Sequence, residues 1–160
     1  MKKIFIALLL AAFSLGASAQ FEKGTKYVGA SVSNFGLSYN KYEDFRLGLH
    51  ALGGYFVADN WLLLGQLGWD HYNGENSFDV GASARYYFKK TGIFCGAGLK
   101  FGHVGPDIVK NNLYLTPEVG YCFYLNQNVS IEPAIYCDWS LNHGRDFTKI
   151  GLRVGFGYYF

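Results

Sequence analysis

The fold of this chain is decided by residues 149–160, which read Lys-Ile-Gly-Leu-Arg-Val-Gly-Phe-Gly-Tyr-Tyr-Phe. The even-numbered positions are all apolar or aromatic. The odd-numbered positions are Lys149, Gly151, Arg153, Gly155, Gly157 and Tyr159. An alternation with a period of two residues is typical of a β-strand with one apolar face. An aromatic residue in last place is unusual for a soluble domain, because the termini of such domains usually fray in water.

The other end of the chain predicts export. Lys2 and Lys3 precede an apolar run over residues 4–15, and the small residues Ala17, Ser18 and Ala19 follow it. This arrangement is typical of a secretory signal peptide and is too short for a membrane-spanning helix. We therefore predict a signal peptide over residues 1–19, with cleavage before Gln20, and a single domain over residues 20–160.

Charge and cysteine content restrict the class of protein. The net charge of +2 comes from Lys2 and Lys3, since 12 of the 14 basic residues remain without them, against 12 acidic residues. A neutral chain without clustered Lys or Arg predicts no nucleic-acid partner. Cys95, Cys122 and Cys137 are an odd number without metal-type spacing. We expect free cysteines that act as small apolar residues, although a disulfide stays open.

Alternating segments recur throughout the predicted domain, each with the length of about eleven residues that a tilted membrane strand needs. Short turns rich in Asn, Asp, Gly and Lys separate them at residues 57–60, 89–92 and 125–128, and longer connections fall at 40–44, 73–76, 104–111 and 141–146. The pattern predicts an all-β fold, an eight-stranded antiparallel up-and-down transmembrane β-barrel. Its predicted strands are Lys26–Tyr39, Phe45–Phe56, Trp61–Tyr72, Ser77–Phe88, Ile93–His103, Asn112–Tyr124, Val129–Ser140 and Phe147–Phe160.

Sorting each strand by parity separates an apolar face from a charged one. From strand two to strand eight, the face that holds Leu67, Val80 and Ile135 contains no Asp, Glu, Lys or Arg. A charged residue on a lipid-facing surface would cost several kcal/mol near the bilayer midplane. Aromatic residues collect near both ends of this face, as at the two interfaces of a membrane. We therefore predict that the apolar face contacts lipid, and that the barrel is a monomer.

The opposite face carries the charges and most of the glycines. We predict that its five cations and five anions form a neutral network inside the barrel, where glycines leave room for long side chains. This interior charge network comprises Arg46, Asp70, Asp79, Arg85, Lys100, Glu118, Glu132, Asp138, Lys149 and Arg153.

Two features disturb the pattern. Strand one changes parity around Ser33 and Asn34, which a β-bulge would repair. Pro117 and Pro133 fall inside predicted strands, where a missing amide donor interrupts the ladder and where bulges or local breaks are expected.

The final strand resembles the C-terminal signal by which the Gram-negative outer-membrane assembly machinery recognises β-barrels; Arg153, Gly155, Tyr158 and Phe160 match it. With the signal peptide and the eight alternating strands, the whole chain resembles the OmpA/OmpX-like superfamily of small outer-membrane barrels. The resemblance implies a location in the outer membrane of a Gram-negative cell. It also implies outer-membrane lipids, lipopolysaccharide and the assembly machinery as partners.

The resemblance leaves the function open, because this superfamily includes structural anchors, adhesins and a few lipid-modifying enzymes. We expect a non-enzymatic protein with a structural or surface-contact role. The alternatives are a lipid-modifying enzyme, a small pore and, less favoured, a soluble lipocalin-like barrel with its apolar face inward.

No constellation of residues points to catalysis, a cofactor or a metal. His71, His103 and His143 fall near strand ends that are far apart around a barrel, so we interpret them as solvated or interfacial. A lipid deacylase would need Ser, His and a carboxylate on the lipid-facing wall. Asp138 and Ser140 instead share the inward face. We therefore predict no catalytic, cofactor-binding or metal-binding residue.

Overall fold

The computed structural model describes residues 21–33, 47–72, 75–89, 91–104, 110–142 and 149–160. Within these ranges no helix is long and apolar enough to cross a membrane. The strands are β1 (Lys26–Ser33), β2 (Leu47–Ala58), β3 (Trp61–Tyr72), β4 (Glu75–Tyr87), β5 (Ile93–Val104), β6 (Lys110–Tyr121), β7 (Phe123–Tyr124), β8 (Val129–Ser140) and β9 (Lys149–Tyr159).

The strands close into a barrel. Each strand from β1 to β5 pairs antiparallel with the next one, β1 also pairs with β9, and β9 pairs with β8. Both β6 and β7 pair with β8 in one continuous register, so they are a single barrel strand that is interrupted at Cys122. The predicted fold class, an eight-stranded antiparallel up-and-down barrel, is confirmed.

The strand boundaries agree closely with the prediction, and β3 and β8 match it at both ends. One predicted turn, at residues 57–60, is shorter than expected. Strand β2 continues to Ala58 through a bulge after Phe56, which leaves Asp59 and Asn60 to make the turn. Asn60 has a φ of 66°, a left-handed conformation that asparagine tolerates better than most residues. The predicted connections 73–76 and 104–111 are also shorter, because β4, β5 and β6 extend into them.

Several predictions concern parts of the chain outside the described residues. They include the signal peptide over residues 1–19, the part of predicted strand one beyond Ser33, and the first residues of predicted strands two and eight. The predicted bulge at Ser33 and Asn34 lies at the edge of a described range, and β1 pairs with β2 in unbroken register as far as Ser33.

The two prolines explain the interruptions of one strand pair. Pro117 and Pro133 both occupy outward-facing positions, and both lie along the pairing of β6 and β7 with β8. The bridges between these strands are absent at residues 116–117 and 121–122, while the register is the same before and after each gap. Proline has no amide hydrogen to donate, so a local break without a register shift follows.

The wall of the barrel is apolar outside and polar inside. Leu67 and Ile150 are each 64% exposed and Phe78 is 62% exposed, although all are large apolar residues. Among the strand side chains that the structure describes, the outward positions carry one charged residue, Lys26, at the beginning of β1. This outer surface is the one that a hydrocarbon environment requires.

The two ends of the barrel differ. We call one the turn end; it carries residues 21–25, the turns at 59–60, 88–92 and 125–128, and Phe160. The other, the loop end, carries the connections 34–46, 73–74, 105–109 and 143–148, which lie outside the description. Exposed aromatic residues occur near both ends of the outer wall, with Trp61, Phe88, Tyr158 and Phe160 towards the turn end and Phe78, Phe101 and Trp139 towards the loop end.

Candidate functional site

The middle of the lumen contains a group of buried ion pairs that we call the central cluster: Arg85, Glu118, Glu132 and Arg153. Arg85 donates from Nε to Oε1 of Glu118 at 2.5 Å and from Nη1 to Oε2 of Glu132 at 2.9 Å. Arg153 donates from Nη2 to Oε2 of Glu118. These residues come from β4, β6, β8 and β9, so the cluster spans the lumen and ties both sides of the barrel together.

Glu132 is the most heavily bonded member of the cluster. Its Oε1 accepts hydrogen bonds from the hydroxyls of Tyr159 at 2.6 Å and Ser130 at 2.7 Å, and its Oε2 accepts one from Tyr27 at 3.1 Å. A buried carboxylate is costly unless it is paired and hydrogen-bonded, and Glu132 is both. Both carboxylate oxygens of Glu132 therefore have hydrogen-bond partners.

Aromatic rings and glycines shape the space around the cations. The Arg85 guanidinium carbon lies 4.7 Å from the centre of the Phe94 ring. A Cβ placed on Gly96 would lie only 3.0 Å from both Cγ of Arg85 and Oε1 of Glu118. Glycine at position 96 therefore supplies the room that the arginine side chain occupies, as the sequence predicts for inward glycines.

A second ion pair lies nearer the loop end. Lys100 donates from Nζ to Oδ2 of Asp138, and Thr116 donates from Oγ1 to Oδ1 of the same carboxylate at 2.8 Å. The Lys100 ammonium also lies 5.4 Å from the centre of the Tyr114 ring. Both oxygens of Asp138 are thus engaged.

A third group, the His50 cluster, comprises His50, Asp70 and Asp79, which are all buried. Nδ1 of His50 lies 3.8 Å from Oδ1 of Asp79, and its Nε2 lies 3.0 Å from Oγ of Ser33. One ligand atom from each member lies within 4.8 Å of the other two. The strands β2, β3 and β4 supply these residues close to the loop end.

The turn end of the lumen is filled by an aromatic layer, which the sequence analysis missed. The Phe21 ring stacks on the Tyr87 ring with centroids 4.2 Å apart, and the amide of Asn60 donates to the Phe21 carbonyl oxygen at 2.7 Å. Its other buried members include Leu52, Phe56, Leu62, Leu64, Phe94, Cys122, Tyr124 and Tyr159. Phe56, Phe94 and Tyr159 are inward aromatics near the strand ends, a signal in the sequence that could have revealed the layer.

Comparisons with known proteins find relatives by structure only. No family model and no curated protein sequence matches the chain. Among solved structures, the N-terminal β-barrel domain of Pseudomonas aeruginosa OprF superposes with a TM-score of 0.70 at 16% identity, covering 86% of this chain and 98% of that one. Neisserial surface protein A superposes with a TM-score of 0.61 at 13% identity, covering 85% of this chain and 96% of that one.

The Yersinia pestis outer membrane protein Ail, solved in a phospholipid bilayer nanodisc, gives a TM-score of 0.58 at 14% identity and covers 86% of this chain and 100% of that one. The chain has the fold of the small OmpA/OmpX-like outer-membrane β-barrels. Identities this low establish the fold alone, so the function of this barrel has to be argued from its own side chains.

The lumen of the barrel holds eight of the ten residues predicted as an interior charge network, in the three groups described above. Arg46 and the side chain of Lys149 lie outside the description. Of the predicted assembly signal, Arg153 and Gly155 face inward, whereas Tyr158 and Phe160 face outward and are 50% and 56% exposed.

The histidines divide between the two faces. His71 and His103 are exposed on the outer wall near the loop end, and His143 lies outside the described residues. The histidine that approaches two carboxylates is His50, which the sequence assigns to the inner face without a binding role. Tertiary structure was needed to bring it to Asp79, because the two are 29 positions apart on different strands. The three cysteines are free.

Proposed function

We propose that this protein is a non-enzymatic, monomeric integral outer-membrane protein that contributes to the structure of the envelope and presents its loop-end connections for contacts outside the cell. The observation that carries the proposal is the combination of an apolar outer wall with a filled lumen. The outer wall of such a barrel contacts lipid, and its lumen offers no path for ions or solutes.

The filled lumen argues against the pore hypothesis. The central cluster crosses the interior, and the aromatic layer covers the turn end below it, with Phe21, Tyr87 and Tyr159 at most 4% exposed. Water-filled channels belong to barrels with about twice as many strands. We therefore expect negligible ion conductance.

The outer wall supports lipid contact and a location in the Gram-negative outer membrane. Its exposed residues are Leu, Val, Ile and aromatic side chains, whose partners would be the acyl chains of outer-membrane lipids and lipopolysaccharide. The signal peptide predicted over residues 1–19 and the C-terminal pattern ending in Phe160 would direct export and recognition by the assembly machinery. The soluble lipocalin-like alternative requires the apolar face inside, which is opposite to the observed burial.

The outer wall also argues against a lipid-modifying enzyme. Among the described strand residues, its positions contain no serine and no threonine, although two histidines, His71 and His103, face outward. Acyl transfer by the serine mechanism requires such a hydroxyl with an adjacent base.

Two measurements on the refolded protein test the proposal. The unboiled protein should migrate differently from the boiled protein on a denaturing gel, because the folded barrel resists unfolding until it is heated. Planar bilayers that contain the folded protein should show no current above that of protein-free bilayers. Identical mobility with and without boiling would overturn the membrane barrel, and stable single-channel steps would overturn the structural role in favour of a pore.

A further inference from the structure

In the His50 cluster, two buried atoms that face each other lack hydrogen-bond partners. Nδ1 of His50 and Oδ1 of Asp79 are both buried, and neither has a hydrogen-bond partner. They face each other at 3.8 Å, which is too long for a hydrogen bond. His50 and Asp79 are each 8% exposed, so bulk water does not satisfy these atoms. Buried polar atoms without a partner are rare and require an explanation.

Ser33 contacts the imidazole of His50 on the side away from Asp79, and this contact is compatible with a ring nitrogen that is free to bind a cation. Nε2 of His50 lies 3.0 Å from Oγ of Ser33. When Nε2 carries the proton and donates to Ser33, Nδ1 presents its lone pair to the Asp79 carboxylate. Histidines that bind metals are oriented in this way, with one ring nitrogen held by a hydrogen bond and the other free to coordinate.

No lysine or arginine among the described residues forms an ion pair with Asp79. Among the described residues, Arg85, Lys100 and Arg153 form ion pairs with Glu118, Glu132 and Asp138. In the same part of the chain, the one ion-pair partner of Asp79 is His50 itself. A lone pair and a carboxylate oxygen that face each other repel, and a cation between them removes the repulsion.

Two glycines leave the space that the carboxylates of Asp70 and Asp79 occupy. A Cβ on Gly68 would collide with the carboxylate of Asp79, and a Cβ on Gly48 would collide with Oδ1 of Asp70. Both glycines face inward on the strands that flank the cluster. The absence of a side chain at these two positions therefore leaves the space that the two carboxylates occupy.

We propose that the His50 cluster binds one divalent transition-metal ion through Nδ1 of His50 and one carboxylate oxygen each from Asp70 and Asp79. An imidazole with two carboxylates is a ligand set that suits Zn²⁺ and Mn²⁺. Two ligands of one Zn²⁺ ion lie at most about 4.4 Å apart, twice a bond length of about 2.0–2.2 Å. The separation of His50 from Asp79 fits this limit, and the widest separation in the cluster, 4.8 Å at most, needs only a small carboxylate rotation.

The test uses untagged protein refolded in detergent and titrated with ZnCl₂ by isothermal calorimetry, with Co²⁺ absorption as a spectroscopic reporter of a nitrogen and oxygen ligand set. We expect one Zn²⁺ per barrel and a rise in melting temperature upon binding. The variants His50→Gln and Asp79→Asn should each weaken binding by about a hundredfold or more, since even the loss of a residue that only hydrogen-bonds a metal ligand costs about 10–100-fold.

A matched control removes the exposed histidines instead. The double variant H71Q/H103Q should bind Zn²⁺ as the unaltered protein does. The mobility difference between boiled and unboiled samples shows that each variant is folded, and a variant that does not fold is replaced by Asp70→Asn. Absence of stoichiometric binding to the unaltered protein, binding that survives both His50→Gln and Asp79→Asn, or binding lost in H71Q/H103Q would each overturn the proposal.

Discussion

The two halves of the lumen are filled in different ways, although the same strand parity directs both sets of side chains inward. In the turn-end half, Phe21, Tyr87 and Tyr159 pack ring against ring, and the central cluster next to them has its carboxylates fully engaged. In the loop-end half, the His50 cluster leaves buried atoms of His50 and Asp79 without hydrogen bonds. We therefore expect the turn-end half to contribute most to closure of the lumen, and the loop-end half to hold the proposed binding site.

Glu132 contacts both the aromatic layer and the central cluster. Its substitution should therefore cause the largest loss in the free energy of unfolding. Substitution Glu132→Leu leaves Arg85 and three hydroxyl donors without their shared acceptor. Breaking a buried pair by removing one partner costs about 3–5 kcal/mol, and we expect a loss of this size. Urea unfolding in lipid vesicles, followed by tryptophan fluorescence, measures it. A loss below about 1 kcal/mol would mean that the turn-end half does not depend on its ion pairs.

Phe21 tests whether the aromatic layer closes the lumen. Substitution Phe21→Ala removes the ring that stacks on Tyr87, and we expect a loss of about 2–3 kcal/mol, near the lower limit for truncating a buried phenylalanine because residues 21–25 can relax. Ion leakage through vesicles should also rise.

The matched control is Phe78→Ala, which truncates the same side chain on the outer wall, where it is 62% exposed. It should leave the leakage unchanged. Equal leakage from both variants would show that the aromatic layer does not seal the barrel.

Gly96 tests the packing of the central cluster. Substitution Gly96→Ala places a methyl group 2.9 Å from the Ala84 carbonyl oxygen and 3.0 Å from Cγ of Arg85. Overpacking of this kind costs about 1–3 kcal/mol, and we expect about 1–2 kcal/mol from the same unfolding measurement. Gly53→Ala is the control, because a Cβ there meets nothing within 4 Å; it should be neutral or stabilise by about 0.5 kcal/mol. The reverse ranking would contradict the assignment of inside and outside.

Substitution of Leu67 should cause the smallest change in the free energy of unfolding. It is 64% exposed on the outer wall, where Leu67→Ile exchanges one lipid-compatible side chain for another of equal volume. We expect a change within about 0.5 kcal/mol, as for surface positions in general. A change as large as that of Glu132→Leu would mean that this wall packs against protein rather than lipid.

Alternation along the strands was sufficient to predict the barrel, because a one-residue shift in register would move every side chain to the wrong face. The strand count, the bounds of β3 and β8, and the inward position of residues such as Arg85 and Glu132 follow from it. Parity does not report neighbours across strands, so it could not show that Arg85 bridges Glu118 and Glu132, or that Phe21 enters the turn end. Position near the strand ends drew attention to His71 and His103, whereas His50 is the histidine that lies near carboxylates.

The sequence by itself determined which side of each strand faces lipid, because the periodicity of the β-strand converts the order of residues directly into two faces. Only the tertiary structure decided which inward residues meet. Closure of the barrel brings side chains from strands that are distant in the chain to the same height in the lumen. Small differences in register there decide whether two side chains form an ion pair or leave facing atoms without hydrogen bonds.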